Sequence, residues 1–171
     1  MRQSPSKLVV AFLASLYFLW CAFRPFEWRL LDGVNLVIHE AGHLIFLPFG
    51  EFLMIAGGSL FQVIMPSLFV GYFFRREQRF SGSLTLFWVG HSLLNVSVYA
   101  GDAVAMQLPL LGGSDSIHDW RYLLERTDLL PHTAFVGNAI RALATLVIMS
   151  ATILSFAFAK TNPDEVGESA F

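Results

Sequence analysis

Long apolar segments, separated by short charged or polar stretches, make up most of this chain. A helix that crosses a bilayer needs roughly 20 mainly apolar residues, and runs near that length occupy residues 8–23, 33–55, 59–74, 84–108 and 134–159. Pro48, Gly50 and Pro66 interrupt two of these runs, and such residues kink or end helices. The pattern predicts an all-α, polytopic membrane helix bundle with about five transmembrane segments, some kinked or broken.

The composition supports lipid as the main solvent. The 171 residues are 55% hydrophobic and only 14% charged, whereas soluble domains carry about 25% charged residues. The bilayer is therefore an expected partner. The net charge of -2 gives no basic excess, so nucleic acid is not expected as a partner. A single cysteine, Cys21, excludes an intrachain disulfide and a cysteine-based zinc site.

We expect one membrane-embedded domain over residues 1–171, with a flexible acidic tail that starts near Lys160. The first apolar run follows Lys7 but lacks the small-residue cleavage pattern of a signal peptide, which favours an uncleaved anchor. Gly57-Gly58 is expected to form a tight connection between two segments. A short interfacial helix is expected over residues 120–126.

The basic residues predict an orientation if the segments simply alternate across the bilayer. Alternation would put one group on a common side: Arg24, Arg29, Arg75, Arg76, Arg79 and Lys160. The opposite side would hold Arg2, Lys7, Arg121 and Arg126. Because cytoplasmic loops are enriched in basic residues, the first group is expected in the cytoplasm.

The motif His39-Glu40-Ala41-Gly42-His43 lies inside the second apolar run. Residues four apart on a helix share a face, so the two imidazoles could bind one zinc ion. Glu40 beside them could act as general base toward metal-bound water. Ionisable residues within a membrane helix cost about 2.5–3.5 kcal/mol each on insertion scales. A bound metal would compensate that cost, although a structural polar cluster or a proton relay is an alternative.

A second polar stripe lies in the fourth run. At 100° per residue, His91, Asn95 and Asp102 fall on one face of a helix, which we expect to face the second segment. His91 and Asp102 are separated by roughly 16 Å along a continuous helix, so both cannot bind one metal ion. Asn95 is expected to bind a substrate or a helix backbone, and not metal. Asn35, one turn before His39, is a second candidate for substrate binding, or a polar residue at the helix start.

A catalytic zinc usually has three protein ligands and one open position, so the motif leaves one ligand to be found. We favour the His118-Asp119 pair, in the polar segment after Gly112-Gly113. Asp119 could instead cap the following helix. Asp102 and His91 are the other candidates.

The stretch Val37-Ile38-His39-Glu40-Ala41-Gly42-His43-Leu44 resembles the active-site helix of the site-2 protease family of intramembrane zinc metalloproteases, in particular its small bacterial branch. The resemblance covers residues 33–66 and implies an integral protein of the bacterial inner membrane. It also implies zinc ligands at His39 and His43, a general base at Glu40, and a membrane protein or peptide as substrate. Family members take their third ligand from a Leu-Asp-Gly pattern, whereas Leu111 is followed here directly by Gly112.

Three functions remain open on the sequence. The first is an intramembrane zinc metalloprotease of the His-Glu-x-x-His type. The second is a membrane metal-dependent hydrolase of lipid or of small molecules. The third is a non-proteolytic membrane protein that binds metal or regulates a partner.

Overall fold

Helices make up nearly all of the structure, a computed structural model that describes residues 3–109 and 118–160. Within these ranges there is no β-strand, only one isolated bridge between Gln3 and Lys160. The helices are α1 (Pro5–Phe23), α2 (Leu30–Phe46), α3 (Glu51–Arg75), α4 (Arg79–Gly101), α5 (Asp119–Arg126) and α6 (Thr133–Phe158). The predicted all-α bundle is confirmed. The acidic tail beyond Lys160 lies outside the described residues.

Among the described residues, four segments are long and apolar enough to cross a bilayer: Pro5–Phe23, Leu30–Phe49, Glu51–Arg75 and Leu130–Phe158. They identify the chain as an integral membrane protein. The 23 residues of α4 form a fifth long helix, which is not among these four segments. The predicted number of about five segments thus compares with four candidate spans in the described part of the chain. The short helix expected over residues 120–126 is α5.

The fifth long helix, α4, lies at the centre of the bundle, in contact with α1, α3 and α6. Its Phe87 and Leu94 form a buried core with Cys21, Ala144 and Ile148. Gly90 lets α6 approach closely, since a Cβ there would lie 2.5 Å from Cγ1 of Ile148. Because other helices surround α4, it can carry the polar side chains that would be costly against lipid.

The connection between α2 and α3 is at Leu47–Gly50, not at Gly57-Gly58 as the sequence predicts. A 3-10 turn covers Leu47–Phe49, and Gly50 has a φ of 92°, a backbone conformation that favours glycine. Gly57 and Gly58 lie inside α3. They mark a close helix crossing, because a Cβ on Gly57 would lie 2.6 Å from Cβ of Phe46. Small residues let helix backbones approach in this way.

Contacts between helix ends define two opposite faces of the bundle. The first, called face A, holds the start of α1, where the Ser4 N–H donates to the Ala159 carbonyl over 2.9 Å. The ends of α3 and α6 meet there too, since Phe74 and Phe158 have ring centroids 6.2 Å apart. The opposite end, called face B, holds the end of α1, where Arg141 donates to the Ala22 carbonyl over 3.1 Å.

The helix α2 runs toward face B, in the same direction as α4. Its Asp32 lies 3.2 Å from His91 in the middle of α4, whereas His39, two turns later, contacts Tyr99 near the end of α4. Because α1 also ends toward face B, α2 does not run back to face A, and simple alternation across the bilayer is wrong for this chain. Arg24 and Arg29 are at face B, whereas Arg75, Arg76 and Arg79 are at face A.

Candidate metal centre

The two motif histidines project from α2 toward α3. His39 is buried and His43 is partly buried, and their rings are 4.8 Å apart between centroids. The facing residue on α3 is Gly58. A Cβ on Gly58 would lie 2.6 Å from Nε2 of His39 and 2.7 Å from Nε2 of His43. The missing side chain of Gly58 therefore leaves open the space toward which both Nε2 atoms point.

Asp119 completes a cluster of three ligand atoms. It is the first residue of α5, and its Oδ2 lies 2.9 Å from Nε2 of His39 and 3.3 Å from Nε2 of His43. The Asp119 backbone N–H donates to the Tyr99 hydroxyl over 3.1 Å. Burial raises the pKa of the Asp119 carboxyl, and hydrogen bonds from protonated Nε2 atoms of the two histidines would lower it below its ordinary value.

The other ring nitrogens fix the tautomers of both histidines. Nδ1 of His43 lies 2.9 Å from the Met54 carbonyl, which can only accept. Nδ1 of His39 lies 3.2 Å from Oε1 of Gln62, whose Nε2 donates to the Ser92 carbonyl over 3.3 Å. The network thus assigns a proton to Nδ1 of each ring. In the neutral rings, which are the form that binds a metal ion, each Nε2 then presents a lone pair to Asp119.

Two lone pairs and a carboxylate oxygen that converge on one point repel each other unless a proton or a metal ion lies between them. Among the described residues, His39, His43 and Asp119 form the group that could hold a metal ion, with ligand atoms all within 4.8 Å of one another. Two histidines and a carboxylate with one open position suit a catalytic zinc, and other transition metals also accept such ligands. Donation from ligand Nδ1–H to a carbonyl or amide oxygen is typical around such metals.

The carboxylate of Glu40 is next to this group and is not used by the fold. It is exposed, and it forms no hydrogen bond or ion pair with the described residues. Glu40 lines a cavity of about 270 Å³ together with His39, His43 and Asp119. The cavity therefore brings a free carboxylate to the ligand cluster, as the motif predicts.

Asn35 and His91 belong to a buried polar network between α2 and α4, not to the ligand cluster. His91 has Nε2 3.2 Å from Oδ1 of Asp32, and its Nδ1 lies 3.2 Å from Nδ2 of Asn35. Asn35 uses its whole hydrogen-bonding capacity, because it also donates to Asn95 and accepts from Trp88 and Ser92. Asn35 thus has no hydrogen-bonding group left for a substrate. His91 contacts Asp32 and not the ligand cluster.

Asn95 keeps unused hydrogen-bonding capacity. Its Nδ2 donates to Oδ1 of Asp32 over 2.7 Å, and its Oδ1 accepts from Asn35. One N–H and one lone pair remain, and Asn95 lines the same cavity as His39. The predicted polar stripe therefore does face α2 at His91 and Asn95, and Asn95 can still bind a further molecule.

His118 and Asp102 lie together at the end of α4. His118 precedes α5, and its Nδ1 accepts the Arg121 N–H over 3.3 Å. Its Nε2 lies 3.4 Å from Oδ2 of Asp102, without a hydrogen bond. Asp102 accepts the N–H groups of Gln107 and Leu108. Of the four candidates for the third ligand, the geometry therefore favours Asp119, and His118 helps to start the helix that carries it.

Sequence reasoning did not single out Asp32, Gly58, Gln62 and Tyr99. A weak signal was present for Asp32, which precedes His39 by seven residues and so shares its helix face. Gln62 was visible as a lone polar side chain in an apolar run. Gly58 and Tyr99 gave no signal, because their roles depend on residues far away in the sequence.

We expect Gln62→Leu to weaken metal binding without removing it. The substitution takes away the acceptor for Nδ1 of His39, and loss of such a partner costs roughly 10- to 100-fold in metal affinity. Zinc affinity of the purified protein, measured by competition with a chromogenic chelator, checks this. Ser67→Ala, an exposed position on the same helix, is the matched control. Equal affinities for Gln62→Leu and the wild type would contradict the tautomer assignment.

No family model matches the chain, and no match is found among curated proteins or solved structures. The function must therefore be argued from the site itself.

Proposed function

We propose that this chain is a membrane-embedded zinc metallopeptidase that hydrolyses peptide bonds of membrane-associated substrates. The observation that carries the proposal is the joint placement, in one cavity, of three converging ligand atoms and an unpaired carboxylate, Glu40. The similarity of the motif to site-2 proteases supports the same reaction and a bacterial inner membrane as its location. His39, His43 and Asp119 would hold the metal.

The metal and Glu40 would have separate roles in the hydrolysis. A zinc ion, when bound, lowers the pKa of water and polarises a carbonyl. Glu40 accepts a proton from the attacking water, whose oxygen bonds to the carbonyl carbon. As the C–N bond breaks, Glu40 returns that proton to the leaving nitrogen. One water is consumed, and the products are a carboxylic acid and an amine.

Asn95 is suited to hold the substrate beside this centre. Its spare N–H and spare lone pair match the C=O and N–H of an extended peptide, which need partners once they leave water. The other cavity walls include apolar side chains, among them Phe26, Trp28 and Leu108. The polarity of the cavity lining therefore suits an extended apolar peptide.

We expect Glu40→Gln to abolish cleavage and to leave the metal in place. A positioned general base contributes about 10²–10⁴-fold to the rate, and glutamine cannot accept the proton. Bacterial membranes that contain the wild type or Glu40→Gln are incubated, and new protein N-termini are labelled and identified by mass spectrometry. N-termini that depend on Glu40 support the proposal, provided that both proteins contain the same amount of zinc.

Other results would overturn the proposal. Identical N-termini in the two samples would exclude a role for Glu40 as base in proteolysis. Release of fatty acids or small products by the wild type alone would indicate a hydrolase of lipid or small molecules. Bound zinc with no product of either kind would indicate a non-enzymatic metal protein.

A further inference from the structure

The metal ligands lie at the face B end of the bundle and not at its middle. Tyr99, which holds Asp119, is two residues before the end of α4. From Arg79 at face A to Tyr99, α4 rises about 30 Å, which equals the thickness of the hydrocarbon core. Measured on α3, Gly58 beside the two histidines is about 10 Å from the start of the helix at Glu51. The centre therefore lies near the boundary between hydrocarbon and headgroups on the face B side.

The residues around the cavity mouth are those of an interface. Phe26 and Trp28 line the cavity and are exposed by 79% and 71%, and aromatic side chains concentrate at headgroup level. On the opposite rim, α5 has the sequence Asp-Trp-Arg-Tyr-Leu-Leu-Glu-Arg, too polar and too short to cross a bilayer. The motif helix α2 also ends on this side, at the turn Leu47–Phe49 that leads into α3.

We infer that the substrates are juxtamembrane segments of membrane-anchored polypeptides at face B, cut just outside the hydrocarbon. This inference rests on the proposed function. A peptide bond must leave its helix before water can attack it, and unpaired backbone groups are costly in hydrocarbon. At headgroup level, water satisfies those groups. An extended segment can therefore reach Asn95 and Glu40 from face B without unwinding in the middle of the bilayer.

The position of the site is tested by labelling single cysteines, independently of any activity. Cysteine replaces Glu27, Glu51 or Glu125 at face B and Glu77 at face A, all charged side chains that are at least partly exposed. Cys21 is fully buried, so the wild type is the control without label. A membrane-impermeant maleimide added to intact cells labels only cysteines on the outer side of the membrane. The three face B cysteines should therefore be all labelled or all unlabelled, and Glu77→Cys should behave in the opposite way. Labelling of positions 27 and 77 from the same side would overturn the inference.

The cut positions from the N-terminal mapping test the substrate class. We expect N-termini that depend on Glu40 to lie within about five residues of the end of a membrane anchor, a distance of roughly 17 Å for extended chain. Such N-termini at the centre of transmembrane segments would overturn the inference while leaving the proposed peptidase intact. Absence of any N-terminus that depends on Glu40 would instead reject the peptidase itself. The two failures are thus distinguishable.

Discussion

Gly58→Ala is expected to abolish the zinc binding that we propose, while the helix bundle stays folded. The new Cβ would lie 2.6 Å and 2.7 Å from the Nε2 atoms of His39 and His43, at the point where the metal must sit. His39 is held by Gln62 and His43 by Met54, so neither ring can move aside without losing its partner. In a helix, alanine is otherwise favoured over glycine by roughly 1 kcal/mol, and α3 itself should not suffer.

The matched control is Gly71→Ala on the same helix, where an added Cβ meets nothing within 4 Å. Zinc per chain is measured by mass spectrometry of the purified proteins, and helix content by circular dichroism. We expect about one zinc per chain in the control and almost none in Gly58→Ala, with equal helix content. A normal zinc content in Gly58→Ala would show that the metal is not held between the two histidines.

Asp119→Asn is expected to lose zinc, whereas His118→Asn is expected to keep it. Asparagine keeps the size of Asp119 and its backbone N–H to Tyr99 but removes the anionic ligand. At position 118, asparagine still caps a helix N-terminus well, so α5 should remain in place. The loss for Asp119→Asn should exceed the roughly 10- to 100-fold that substitutions of a ligand's partners cost.

Zinc affinity by chelator competition separates these two neighbours, and Glu40→Gln is a control that removes a carboxylate from the cavity without removing a ligand. Loss of zinc in His118→Asn with retention in Asp119→Asn would reverse the assignment of the third ligand. Loss in both, with reduced helix content, would mean that α5 had been displaced. A second pair, Asp119→Glu and His118→Gln, would then be compared.

Local patterns predicted the helices well. The runs at 8–23 and 134–159 correspond to α1 and α6 within a few residues, because an uninterrupted apolar run has no competing fold in lipid. Pro48 and Gly50 were correctly expected to break the second run. Gly57-Gly58 was read as a turn, since glycine favours turns in water. Inside a bundle the same residues allow helices to pack closely, and no local sequence feature distinguishes a packing glycine from a turn glycine.

Local sequence patterns could not predict the path of the chain across the bilayer. Alternation assumes that each apolar run crosses, and α2 is long and apolar enough to do so. Only its contacts with α4 show that it runs toward face B and does not return to face A. The depth of the metal centre follows from that path, and so does the class of substrate that we infer.

The sequence by itself determined the membrane bundle and the half of the site that lies on one helix: His39, Glu40 and His43 are fixed relative to each other by the 3.6-residue period. Tertiary structure decided the rest. Asp119 is 80 residues from His39 in the sequence, and Gly58, Gln62 and Tyr99 act only through packing against α2 and α5. Such contacts depend on how whole helices cross, which no local window of sequence encodes.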